Sequence, residues 1–341
     1  MRVIAGIDLG GTAINFTFCD EGGRFLVDTL CEYPARVLDG PDVCLQQIVD
    51  GLGMAANRHG VHLSDLSAVG LGTPGPASAS GVLSAAGSTN FAHRGWDGLD
   101  LPQHLGRRLN KPIAYLNDGN AAALWGHVSA FGTDRPATTV TVVVGTGLGG
   151  GVVVNGRVLT GRNGFAGELG HVLIPFERIA SIKDLTPKCN CGRYGDLESL
   201  CSLTAIENSL LPFFLAKYPG HALGATADRR QAAKLVRGLA QTDDSMCLQI
   251  FEAQAGALGL FFDQMVNTFD PDAFIVGGGI VEASEAFQRW FITAIRRGMP
   301  DQRVEQRDVP IHVMPGRDTA GARGAALEAL RQLRETEAGA R

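Results

Sequence analysis

The chain opens on a short apolar run, VIAGIDL (Val3–Leu9), that ends in an acid and a Gly-Gly-Thr turn. Over Ala13–Cys19, Ile14, Phe16 and Phe18 alternate with Asn15 and Thr17, the period-two pattern of a half-buried strand. The turn Asp20-Glu21-Gly22-Gly23 and a third apolar stretch, Phe25–Leu30, predict the order strand, turn, strand, turn, strand. The same order returns at Thr138–Val144 (TTVTVVV), which meets the glycine cluster Gly145–Gly151. Val152–Val154, the hairpin dipeptide Asn155-Gly156 and Arg157–Leu159 follow. The repeated layout points to an internal duplication, with two lobes that each open on a glycine-hinged hairpin.

Apolar spacing near 3.6 predicts helices over Pro41–Arg58, Gly119–Ala130, Ser202–Lys217, Gln231–Leu239, Ser245–Phe269, Glu282–Arg297 and Ala320–Arg334. Short apolar runs at Ser67–Gly72, Ile113–Leu116, Ala273–Val276 and Ile311–Met314 predict strands. Alternating strands and helices imply an α/β class with mixed sheets, and 341 residues suffice for two domains.

Composition narrows the function. Glycine fills 45 positions without a three-residue period, and 45% of residues are hydrophobic, which excludes collagen and disorder. The 30 basic and 35 acidic residues leave a net charge of −5, unlike a non-specific nucleic-acid binder. Asp8 interrupts the first apolar run, against a signal peptide, and no apolar run approaches the ~18 residues of a membrane span. Seven scattered cysteines read as reduced thiols. A soluble, cytoplasmic protein with no nucleic-acid or membrane partner is expected.

Glycines after a strand let backbone N–H groups approach a phosphate unobstructed. Gly10-Gly11-Thr12 and Gly145–Gly151 are two such loops; Thr12 and Thr146 add hydroxyl donors, and Asp8 stands where Mg²⁺ would need a carboxylate. Either loop could instead be a tight hairpin turn, but the third cluster, Gly277–Gly279, shifts the balance toward a nucleotide. Gly145, Gly147 and Gly150 also fit the dinucleotide fingerprint. That motif needs a helix after the loop, and VVVNGRV is a hairpin, so the reading is rejected.

Asp118 follows a strand and precedes a helix. It is therefore either a general base for a substrate hydroxyl or the N-cap of that helix. Asn90, Asn117, Glu168, His171 and Glu198 are polar candidates for contacting a polyol, and each could equally be a surface residue. Cys189 and Cys191 form C-x-C, a zinc-chelating spacing; His171 could be a third ligand, with Asp196 or Cys201 as the fourth.

Taken in order, the motifs resemble the ROK family of sugar kinases over essentially the whole chain. They are DLGGT at Asp8–Thr12, STNFAHRGW at Ser88–Trp96, NDGNAAALWG at Asn117–Gly126 and GTGLGGG at Gly145–Gly151. GELGH at Gly167–His171, CNCGRYGDLES at Cys189–Ser199, GGGI at Gly277–Ile280 and a glycine-alanine helix near Gly324 continue the series. The resemblance implies a two-lobed actin/hexokinase-like ATPase fold, two duplicated ribonuclease-H-like domains closing on Mg-ATP and a hexose. The lobes would span 1–117, completed by a helix at about 320–341, and 118–319.

The resemblance casts Asp118 as catalytic base and Asn90, Asn117, Glu168, His171 and Glu198 as sugar contacts. Asp8, Gly10, Gly11, Thr12, Gly145, Thr146 and Gly147 would hold Mg-ATP, with Gly278 and Gly279 near its ribose or adenine. His171, Cys189, Cys191 and Asp196 would take zinc, although the family pattern has a cysteine where Asp196 stands. Family repressors carry a helix-turn-helix ahead of the first loop; only seven residues precede Asp8 here. The expectation is a homodimeric hexokinase using ATP and Mg²⁺ on the 6-hydroxyl of glucose. Fructose, mannose or N-acetylhexosamine kinases, a polyphosphate donor and a non-catalytic sugar sensor are the alternatives.

Overall fold

Val3–Leu9 forms β1 and Ala13–Asp20 forms β2, paired antiparallel with Ile7 opposite Phe16. In the computed structural model the described residues are 2–84, 90–300, 303, 306, 308–316 and 319–339. Ser88 and Thr89 of the STNFAHRGW segment, and residues 1, 318 and 340–341 of the expected lobe ends, lie outside them.

The next pairing partner of β2 is β3, Cys31–Pro34, not the expected Phe25–Leu30. Phe25 makes a single bridge to Cys19. Its ring stands edge-on to Trp125 at 5.5 Å, and the Arg323 guanidinium lies 4.8 Å over it. Packing against these two side chains holds Phe25 where ladder pairing was expected. The helix α1 (Pro41–His59) starts with proline at its first position and ends at Gly60 in the left-handed region (φ 66°). It is followed by β4 (Leu66–Thr73), a helix absent from the sequence reading, α2 (Leu101–Leu109), β5 (Ile113–Asn117) and α3 (Asp118–Phe131).

The second half supplies β6 (Thr139–Val144), β7 (Leu148–Val154) and β8 (Arg157–Val158). Much of the expected glycine loop is therefore strand: β7 already begins at Leu148. Short helices α4 (Glu198–Cys201) and α5 (Leu203–Ala205), a π turn at Ile206–Leu210 and α6 (Leu211–Lys217) break up the expected Ser202–Lys217 helix. The remaining elements are α7 (Arg229–Ala240), α8 (Ser245–Phe269), β9 (Ala273–Gly278), α9 (Glu285–Gly298), β10 (Ile311–Val313) and α10 (Ala320–Gly339).

The two five-stranded sheets run β3-β2-β1-β4-β5 and β8-β7-β6-β9-β10, the same order of corresponding strands. In both, the fourth and fifth strands pair parallel, so the internal duplication is realised strand for strand.

The chain divides into two compact units, residues 1–136 with 151–167 and 318–341, and residues 137–150 with 168–317. These boundaries differ from the expected 117/118 and 319 divisions, since α3 and the 151–167 segment belong to the first unit. In that unit α10 packs on β1, β4 and α3. A Cβ at Gly70 or Gly324 would overlap the carbonyl oxygen of Ala325 or Ala121, so glycine is what lets the backbones meet.

In the second unit α8 carries the core, with Phe262 stacked on Phe274 of β9 at 4.1 Å between ring centroids. By length and mean composition α8 is long and apolar enough to cross a membrane, although Gln249, Glu252, Gln254 and Asp263 interrupt it, so it is not one continuous apolar run. Its apolar side chains, among them Ile250, Leu258, Phe261 and Phe262, are buried inside the unit.

Candidate active site

In the first unit, the turn after β1 is closed by Gly10 N–H donating to the Ala13 carbonyl at 2.9 Å. A Cβ at Gly11 would run into the Asn90 side-chain oxygen, so the Asn90 amide lies over this loop. Asp8 sits at the end of β1, and a Cβ on Gly321 would come within 2.7 Å of its carboxyl carbon. The Asp8 carboxylate thus adjoins the first turn of α10, the electropositive end of a helix. Thr12 is exposed.

Asn117 and Asp118 stand where β5 runs into α3, at the carboxyl end of a parallel strand. The helix cap is Asn117: its side-chain oxygen accepts from Gly119 N–H at 3.0 Å, and its amide donates to the Thr73 carbonyl at 3.5 Å. Asp118 is the first helical residue, is exposed to solvent, and has one oxygen 2.7 Å from the same Gly119 nitrogen. Beneath this corner the Tyr115 hydroxyl bonds Thr73 Oγ1 at 2.9 Å; burial first, then the Asp118 charge, pushes Tyr115 up to about 12.

In the second unit, the loop after β6 is anchored from several sides. Leu203 N–H donates to the Gly145 carbonyl at 2.9 Å, the Thr204 hydroxyl to the Thr146 carbonyl at 2.8 Å, and Arg230 Nη2 to Thr146 Oγ1 at 3.2 Å. Gly145 and Thr146 are exposed, and a Cβ added at Gly145 would meet only the Gly147 carbonyl, 4.0 Å away. Among the described residues, no side chain stands over the Gly145 backbone, which is open to solvent. Gly278 pairs with Val144 in the β6–β9 ladder and has φ +83°; a side chain there would overlap the Val144 carbonyl. The third glycine cluster is thus adjacent to the second.

Glu198 connects the loop to the cysteine motif. Leu148 N–H donates to its Oε2 at 2.8 Å, a Cβ at Gly147 would come within 2.6 Å of the same oxygen, and Cys189 Sγ donates to Oε1 at 3.4 Å. Glu168 precedes the short turn Leu169–His171, and His171 ends it. Desolvation holds Glu168 above the usual carboxylate range although its side chain touches solvent; His171 pulls it down and Glu198 adds to the rise.

His171, Cys189, Cys191 and Asp196 form one cluster, their ligand atoms all within 4.8 Å of one another. Asp196 Oδ2 lies 3.2 Å from His171 Nδ1 and 3.5 Å from Cys191 Sγ, and Cys189 Sγ lies 3.9 Å from that nitrogen. The edges of a tetrahedral zinc site with bonds of ~2.0–2.3 Å are about 3.3–3.8 Å, so the four donors fit the ion. Burial alone would raise the fully buried Asp196 carboxyl, yet hydrogen bonds from Ser199 N–H, Cys189, His171 and Cys191 hold it low. Cys201, the other candidate, is elsewhere, bonded to the Gln254 carbonyl at 3.5 Å. Sequence reasoning missed Arg230 and Arg237 of α7. No local motif marks them, and the loops they touch are 84 and 42 residues away.

A profile described as the ROK family matches residues 4–332. A glucokinase of Halalkalibacterium halodurans is 30% identical over 83% of this chain and 82% of its own. An N-acetyl-D-glucosamine kinase of Pectobacterium atrosepticum is 29% identical over 94% and 97%. Among solved structures, a ROK family glucokinase from Streptomyces griseus in complex with glucose and AMPPNP superposes with a TM-score of 0.72. It is 26% identical and covers 97% of this chain and 99% of that one.

Proposed function

The chain belongs to the ROK family, with the actin/hexokinase-like ATPase fold, and from that premise we propose an ATP-dependent hexose kinase acting on the 6-hydroxyl of glucose. The observation that carries this reading is the Asn117–Asp118 corner. Asn117 is the N-cap, and Asp118, the first helical residue, presents an exposed carboxylate at a strand's carboxyl end while one of its oxygens accepts from Gly119 N–H.

Phosphoryl transfer asks mainly for positioning and charge neutralisation. Asp118 accepts the proton of the attacking hydroxyl, a contribution of ~10²–10⁴-fold. Asn90, Asn117, Glu168, His171 and Glu198 orient the sugar. Gly10, Gly11, Thr12, Gly145, Thr146 and Gly147 receive the phosphates, and Gly278 and Gly279 the nucleoside end. Asp8 is the carboxylate for Mg²⁺, which when bound neutralises charge on the phosphate oxygens.

Zinc fits the cluster of His171, Cys189, Cys191 and Asp196. Its place is structural, because the same residues hold the segment bearing Glu198. A second reading, an N-acetylglucosamine kinase, is favoured by the longer match to that relative. A coupled ADP assay with glucose, mannose, fructose and N-acetylglucosamine separates them. Glucose should give the highest kcat/KM; a maximum on the N-acetylated sugar would transfer the assignment to it.

A further inference from the structure

Two of the three arginines of helix α7, Arg230 and Arg237, lie seven residues apart, two helical turns along one side. Arg230 donates through Nη2 to Thr146 Oγ1 at 3.2 Å, and through Nη1 to Glu207 Oε2 at 2.7 Å and Thr204 Oγ1 at 3.4 Å. Arg237 donates through Nη1 to the Gly279 carbonyl at 2.6 Å and through Nη2 to Glu282 Oε2 at 2.5 Å. One helix thereby holds both the loop after β6 and the turn after β9.

The Thr146 hydroxyl has one hydrogen and two lone pairs. While it accepts from Arg230, its own hydrogen must be directed away from the guanidinium. Its carbonyl is already taken by Thr204, and the residue is exposed on the loop, where the Gly145 backbone is open to solvent. A hydroxyl polarised by a cation is also the stronger donor. Arg230 itself stays 30% exposed, and three of the five N–H donors of a guanidinium account for these contacts. That leaves donors and a delocalised charge suited to phosphate oxygens.

We propose that Arg230 is a positioning residue of the phosphoryl-donor site: it fixes Thr146 as a hydrogen-bond donor to the triphosphate of a nucleotide, while Arg237 on the same helix holds the Gly279 turn. The proposal rests on the reading of Gly145–Gly147 as a phosphate loop. It names a specific role for two residues outside every glycine motif.

The test is calorimetric titration with Mg-AMPPNP and, separately, with glucose, alongside steady-state KM values. Arg230→Met should weaken AMPPNP about tenfold or more and raise KM for ATP to match. Affinity for glucose should stay within about twofold. Arg230→Lys, which cannot reach Thr146 and Glu207 together, should recover only part of the loss. Thr146→Val combined with Arg230→Met should cost little more than Arg230→Met alone. Glu207→Gln, which removes the ion pair but keeps the Thr146 contact, should leave AMPPNP affinity nearly unchanged.

Unchanged AMPPNP affinity in Arg230→Met would overturn the proposal. So would parallel losses for AMPPNP and glucose with a lowered Tm, the mark of a purely structural arginine. Should Arg230→Met fail to fold, Arg230→Lys and Thr146→Val decide by the same criteria. A wild-type chain that binds glucose but no AMPPNP would overturn the phosphate-loop reading itself, and the proposal with it.

Discussion

At Gly278 the backbone turns to φ +83° and runs against the Val144 carbonyl, so a single methyl group has neither the conformation nor the space it needs. Gly278→Ala should cost about 1–3 kcal/mol, read as a lower denaturant midpoint, and weaken AMPPNP more than glucose. Asp196 tests a different atom. Replacing its oxygen by a thiolate, in Asp196→Cys, gives a softer donor set. Zinc retention after dialysis against a chelator should rise relative to wild type, and fall in Cys189→Ala. Metal content by mass spectrometry reads both.

The residue types at these sites were legible in the sequence because short motifs carry them. Which residue takes which job was not. Asn117 and Asp118 are neighbours, and only the position of the first helical turn decides that the former caps α3. Spacing alone left the fourth ligand open between Asp196 and Cys201; the resemblance pointed to Asp196, and Cys201, at the end of α4, bonds the Gln254 carbonyl instead.

Among the elements, the long helix α8 shows how a single cap organises packing. Asp244 accepts from Cys247 N–H at 2.9 Å and from His221 Nε2 at 3.0 Å, while His221 Nδ1 accepts from Leu223 N–H at 3.2 Å. These bonds account for both ring nitrogens of His221, so the His221–Asp244–Cys247 cluster reads as a fold device, though its spacing could suit a metal. Burial pushes the Asp244 carboxyl up, but hydrogen bonds from Cys247 and His221 outweigh it and hold it below its ordinary value.

A carboxyl depressed in the folded state contributes stability above its unfolded value near ~4 and loses it as pH falls through the folded value. Asp244→Ala should therefore destabilise by about 1–2 kcal/mol at pH 7, with the gap to wild type closing below about pH 4. A gap independent of pH between 3 and 7 would contradict this. The period of α8 made the element visible from sequence, whereas its partner His221 lies 23 residues upstream in a loop with no period. The misplaced third strand has the same cause. Phe25–Leu30 is apolar enough for a strand, but Phe25 is held by Trp125 and Arg323, far along the chain.

Across the whole molecule, the duplicated strand order follows from an apolar rhythm that repeats near residue 138, which is why it could be read early. The contribution of α10 to the first unit could not be read from rhythm, because it depends on backbones meeting at Gly70 and Gly324 across more than two hundred residues in each case. Ending the chain after Thr319 should leave the first unit without the apolar side chains Ala326, Leu327 and Leu330 that fill its interior. Rapid limited proteolysis within residues 1–136, with loss of glucose binding, is the expected outcome. Retained protease resistance would count against an essential α10.

The most direct measurement compares the wild-type chain and Asp118→Asn, incubated with Mg-ATP and glucose, by phosphorus NMR of the products and calorimetric binding of glucose. Wild type should convert ATP and glucose to ADP and glucose 6-phosphate. Asp118→Asn should bind glucose with similar affinity but turn over ~10²–10⁴-fold more slowly. Sugar phosphate formed by Asp118→Asn at the wild-type rate, or none formed by wild type, would contradict the account.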